Sequence, residues 1–155
     1  MTRILTATLV LLLSGGIGAF AADEHKHEHE HGKAVEVGEV TIGTTKVDVE
    51  IAGAVTAGKK VHVALHLTPP TPAPKVVRVW IGSESGRGSE KAKAEGEAEH
   101  PGGFEAHVDV PAPLPEGSKI WISIEPASGD AAKGSLPLPG PDAKAAGEHE
   151  HDKKK

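Results

Sequence analysis

The stretch KVDVEIAGAVTAGKKVHVALHLTPP, residues 46–70, decides the fold class. Val47, Val49 and Ile51 alternate with Lys46, Asp48 and Glu50, so an extended chain here is apolar on one side and wet on the other. The pattern repeats with Val61, Val63, Leu65 and Leu67 set against His62, Ala64 and His66. A helix would spread these residues around its axis, whereas a period of two gathers them on one face of a sheet. The run TPPTPAP at 68–74 then ends the second strand, because proline donates no ladder hydrogen bond.

The same period extends in both directions. Upstream, Val35, Val37, Val40 and Ile42 read as a strand with a slip near Gly38, where an extra residue forms a bulge, and Gly43 with Thr44 makes the turn into the next strand. Downstream, Val77, Val79 and Ile81 oppose Val76, Arg78 and Trp80, and further strands are expected over 89–95, 104–110, 119–125 and 131–136. About seven or eight short strands with turns rich in Gly, Pro, Ser and Asp predict an all-β fold, an antiparallel immunoglobulin-like sandwich. A small closed barrel is the alternative that the same pattern allows. No helical spacing separates the strands, which argues against parallel βαβ units. The segment SEKAKAE at 89–95 offers little apolar area through Ala92 and Ala94, so it is expected at an edge, guarded by Lys91 and Lys93. Trp80 and Trp121 stand opposite the aliphatic pattern, where they cover a sheet face or form a contact surface.

Composition narrows the function classes. Lys and Arg total 17 against 22 Asp and Glu, a net charge of -5, so no global basic field attracts nucleic acid. With no cysteine there are no disulfides, thiolate nucleophiles, iron-sulfur clusters or Cys-type zinc sites. No nucleophile elbow or HExxH helix occurs, and SESGRGS at 83–89 lacks the lysine of a phosphate loop and reads as a flexible loop. An enzyme is not expected.

The N-terminus reads as an address. In MTRILTATLVLLLSGGIGAFAAD, Arg3 precedes the apolar run 4–13, and Ala19, Phe20 and Ala21 match the small-x-small cleavage pattern. Residues 1–21 are therefore expected to be a signal peptide, too short in its apolar part to cross a bilayer that needs ~20 residues. The mature chain is expected to be periplasmic or secreted, without a membrane span and monomeric. It divides into a flexible His-rich tail at 22–33, the β domain at 34–138 and a second flexible tail at 139–155 rich in Pro, Gly, His and Lys. Neither tail carries enough large apolar side chains to offset the entropy of ordering it.

Six of the ten histidines fall in two short windows: His25, His27, His29 and His31 in one, His149 and His151 in the other. Neutral imidazole is a good ligand for Zn, Cu(II) and Ni, and the interleaved Glu28, Glu30 and Glu150 add oxygen donors and compensating charge. Alternate histidines of an extended chain stand ~6.6 to 7 Å apart, so a pliable tail must fold around an ion with ~2.0 to 2.1 Å bonds. Such a site suits capture or buffering. Cleavage after Ala22 would leave Asp23, Glu24 and His25 at the start, a nitrogen set for square-planar Cu(II) or Ni(II); cleavage after Ala21 fits the pattern better. The alternative for both tails is a solvated polar segment with pH-responsive charge. His62 and His66 share a face but lie ~13 Å apart, His107 reaches them only if a partner strand brings it, and His100 sits in a Pro-Gly loop. These four read as surface or half-buried residues, with an ordered site as the alternative.

With a signal-like leader, alternating strands and histidine-rich ends, the chain resembles the small periplasmic copper- and heavy-metal-handling proteins of the CopC-like, immunoglobulin-like class. The resemblance is architectural. It implies a copper site that uses an N-terminal histidine, sometimes with methionine clusters; here the expected mature start is Ala22, and Met1 is the sole methionine. Thioether-based Cu(I) handling is thus disfavoured, leaving Zn(II), Cu(II) or Ni(II). The expected function is exported metal binding as a buffer, chaperone or resistance accessory to an envelope efflux or uptake system. The alternative is an envelope interaction module that uses the Trp80 and Trp121 face.

Overall fold

The computed structural model describes residues 34–70 and 72–140. Eight strands and no helix occur among them: β1 (Ala34–Ile42), β2 (Thr45–Ala52), β3 (Lys60–Thr68), β4 (Val76–Gly82), β5 (Ala92–Gly96), β6 (Gly103–Asp109), β7 (Lys119–Glu125) and β8 (Ala132–Pro137). Every ladder is antiparallel, and the order is β1-β2-β3-β6-β5-β4-β7-β8. The expected signal peptide at 1–21, the tail at 22–33 and all of the second tail beyond residue 140 lie outside the described residues.

Local sequence explains the first hairpin. Gly43 takes a positive φ of 62°, which a turn joining Ile42 to its partner Thr45 requires and which only glycine adopts without strain. The expected slip is present: pairing shifts between Glu36 and Gly38, leaving Val37 as the extra residue of a bulge. Across β2 and β3, Val47 faces Leu67, Val49 faces Leu65 and Ile51 faces Val63, so the apolar sets arrive inside in matched rows. From the other side come Val79, Ile81, Ile120 and Ile122. Like Val47, Val49, Ile51 and Val63, these retain 0 % exposure. Each such side chain contributes roughly 1.5 to 3 kcal/mol by leaving water.

The eight strands form one nearly closed, barrel-like sheet. The turn from one half to the other falls on β5, which meets β6 through Glu95–Glu105 and Gly96–Phe104 and meets β4 from Val77–Ala94 to Val79–Ala92. The expectation that 89–95 lies at an edge is therefore wrong. Its small residues suit a corner where both halves of the core converge, and Ala94 is 3 % exposed there. The edges are β1 and β8, which approach each other by side-chain packing rather than through a ladder. Gly134 marks how close they come: a Cβ built there would lie 2.7 Å from Ile42 Cγ1.

The tryptophans pack on the outer face of β4 and β7, where Trp80 pairs with Trp121. Their rings stack at 6.2 Å between centroids and 14° between planes. Trp80 is 1 % exposed because the 83–91 segment folds over it, with Lys91 Nζ 4.7 Å from the ring centroid. The Trp80 indole donates to Ser83 O at 2.8 Å, and Trp121 donates to Gly82 O at 3.1 Å. SESGRGS is consequently a tied loop, not a flexible one: Gly86 N donates to Ser83 O, Ser89 N to Gly86 O, and Ser89 Oγ to Ile81 O. Both indoles thus cover the outer sheet face, Trp80 buried beneath the loop and Trp121 half-buried beside it.

Candidate metal-binding face

The other outer surface, formed by β2, β3 and β6, collects the ionisable groups. Alternation sends Val61, Val63 and Leu65 inward, so His62, Ala64 and His66 face outward, and register sets what stands beside each. In one row Ala52, His62 and His107 are abreast; in the next, Glu50, Ala64 and Glu105; in the third, Asp48, His66 and Gly103. The small Ala64 makes a dip between two carboxylates.

A loop from β5 to β6 adds to this face. Leu67 N donates to Gly102 O at 2.8 Å and Gly103 N donates to His100 O at 2.8 Å, which ties the turn against the end of β3. Gly102 has φ of 90°, and a Cβ there would lie 2.6 Å from Leu67 O, so neither another conformation nor a side chain fits. The loop carries His100, whose Nδ1 lies 2.8 Å from Glu97 Oε2. An open groove of about 650 Å³ results, lined by Asp48, Glu50, His66, Glu97, Glu99 and His100 among others.

Electrostatically the face is acidic at its centre, with cations at its ends. Lys60 Nζ donates to Asp109 Oδ2 at 2.6 Å. That hydrogen bond raises the Lys60 amine above its ordinary value and holds the Asp109 carboxyl below its own. Lys46 is engaged by Glu39 and Asp48, and the hydrogen bond to Glu39 is the main cause of its raised value. The remaining carboxylates around the histidines, Glu50, Glu99 and Glu105, have no lysine beside them in these ion pairs.

The predicted ligands His25, His27, His29, His31, His149 and His151 lie outside the described residues. The four remaining histidines, His62, His66, His100 and His107, all come to this face. His62 and His107 are direct cross-strand neighbours with ring centroids 5.2 Å apart, and His62 Nε2 lies 3.4 Å from Glu105 Oε2. His66 belongs to a separate row beside Asp48, as its spacing from His62 requires. Among the described residues no group of three or more histidine or carboxylate side chains is placed so as to hold a metal ion. Sequence parity alone places His62, His66 and His107 on outward faces; the β3–β6 register that makes two of them adjacent is non-local and left no local signal.

Comparison with protein-family models, with curated proteins and with solved structures finds no match to this chain.

Proposed function

We propose that this chain is an exported protein, periplasmic or secreted, that binds divalent transition-metal ions, Zn(II), Cu(II) or Ni(II), as a buffer, chaperone or resistance accessory. The observation that carries this reading is where histidine occurs. Six of ten lie in two acidic terminal windows and the other four on one carboxylate-rich sheet face, with no buried polar residue among the described core. Imidazole interleaved with carboxylate is the donor set that divalent zinc, copper and nickel share. The leader-like residues 1–21 support export, and His25, His27, His29, His31, His149 and His151 serve as capture ligands.

The finer fold belongs to the same proposal. The strand order supports an immunoglobulin-like sandwich: β2-β3-β6-β5 follows the A-B-E-D order and β4-β7-β8 the C-F-G order, with β1 as an added edge strand. An envelope interaction module using the indole face has less support, because the 83–91 loop already covers Trp80.

The test is calorimetric titration of Zn(II), Cu(II) and Ni(II) into the chain at about pH 7.5, where ordinary imidazole is neutral. A second titration uses the full chain with the six tail histidines changed to asparagine. Loss of ion equivalents in that variant is expected; equal stoichiometry in the two ends the capture role of the tails.

A further inference from the structure

We infer that His62, His107 and Glu105 form an ordered binding site for one divalent d-block cation on the outer face of β3 and β6. The inference rests on and deepens the metal-binding proposal by assigning one ion to the folded sheet.

Two separations support it. In a tetrahedral site each ligand atom stands ~2.0 to 2.1 Å from the metal, so two ligand atoms are ~3.3 to 3.4 Å apart along an edge. His62 Nε2 and Glu105 Oε2 are 3.4 Å apart. That is longer than the ~2.7 to 2.9 Å of a charge-assisted hydrogen bond and close to the edge of a coordination tetrahedron. For two imidazoles on one such ion, adding a ring radius of ~1.1 Å to each bond puts the ring centroids ~5.2 Å apart. The His62 and His107 centroids are 5.2 Å apart.

The fold explains why the three stay at these separations. Direct cross-strand partners hold their Cβ atoms ~4.5 to 5.5 Å apart, and Glu105 shares the outward face with His107 because they are two residues apart on one strand. The His62 side chain is only 14 % exposed, so the surrounding strands restrict its rotamers, whereas Glu105 at 50 % and His107 lie at the exposed surface of the same sheet face. Closing the site requires the His107 ring to aim a nitrogen at the point that His62 and Glu105 already flank.

Three protein donors leave a fourth position for water or for a ligand from a partner, the arrangement of sites that exchange rather than lock their ion. Two imidazoles and one carboxylate suit Zn(II), Cu(II) and Ni(II) better than Mg(II) or Ca(II), which favour all-oxygen shells.

The experiment uses the full chain in which His25, His27, His29, His31, His149 and His151 are changed to Asn, titrated with Zn(II) while imidazole nitrogen shifts are followed by nuclear magnetic resonance. One equivalent is expected to move the ring nitrogens of His62 and His107 and leave those of His66 and His100 in place. Adding His107→Asn, an exposed change, is expected to weaken this binding by about tenfold or more with an unchanged circular dichroism spectrum, and Glu105→Gln to weaken it less. Rings of His62 and His107 that do not move, or an affinity unaltered by His107→Asn, overturn the sheet site. Neither result touches the tail reading, which is decided by the difference between the unmodified chain and the six-asparagine chain.

Discussion

Replacing Gly134 by alanine places a methyl group in the seam between β8 and β1. The new Cβ would stand 2.7 Å from Ile42 Cγ1, 3.0 Å from Val40 Cγ2 and 3.1 Å from Ile42 Cδ1, all inside the ~3.5 to 4.0 Å at which carbon atoms rest. Ile42 is 3 % exposed and has no room to swing away. Overpacking of this kind costs roughly 1 to 3 kcal/mol. Against it stands a gain of about 0.4 to 1 kcal/mol, because alanine has fewer unfolded conformations to lose and the Gly134 backbone is not in the left-handed region. The overpacking is the larger effect, and a net loss of about 1 to 2 kcal/mol is expected. For a domain of this size that lowers Tm by roughly 4 to 16 °C. Thermal unfolding followed by circular dichroism reads it directly. Ile42→Ala alone should cost about 2 to 5 kcal/mol through the cavity it leaves. In the double variant the methyl at 134 fills part of that space, so the combined loss should fall short of the sum by about 1 kcal/mol. A Gly134→Ala chain as stable as the unaltered one would refute the account of the seam.

Other outcomes follow from the same geometry. Trp80→Ala should lose about 3 to 5 kcal/mol in denaturant titration, since an enclosed indole and its hydrogen bond to Ser83 O both disappear. Changing Lys60 and Asp109 together to Met and Asn should abolish a pH-dependent part of stability, seen as a Tm difference from the unaltered chain. The lowered Asp109 value means its contribution exists above the ordinary carboxylate pKa and vanishes as pH falls through the lower folded one. The raised Lys60 value means the amine's contribution exists below the ordinary lysine pKa and vanishes as pH rises through the higher folded one. The difference should accordingly be largest between about pH 4 and 10 and shrink with added salt. Bound Zn(II) should be released between about pH 7.5 and 5, because imidazoles ligate only when unprotonated; dialysis with metal analysis at each pH checks this.

Much of the sheet was legible because its inward residues obey a period of two, broken in β1 beside Gly38. The strand over 119–125 emerges with those limits, and the bulge beside Gly38 appears because a broken alternation has one local remedy. The position of β5 was not legible. Ala92 and Ala94 look like the thin hydrophobicity of an edge, and nothing nearby in the chain tells that strands from both halves of the sheet flank them. The burial of Trp80 was hidden for a related reason: its cover is a loop of Gly, Ser and Arg whose order comes from hydrogen bonds rather than apolar content. At the candidate site, parity showed which way His62 and His107 point. Their adjacency depends on a pairing between segments over forty residues apart, a distance that no local pattern spans.

The chain has two tryptophans and no tyrosine, and both indoles sit stacked on one side of the domain while the histidine face looks the other way. Its near-ultraviolet emission therefore originates on the side remote from His62, His66 and His107, across the body of the barrel-like sheet. In the chain whose six tail histidines are asparagine, dimming of that glow by Cu(II) reports either energy transfer through the body of the protein or a rearrangement that reaches its far wall. Diamagnetic, spectrally silent Zn(II) separates the two, since it can alter the light only by moving the indoles.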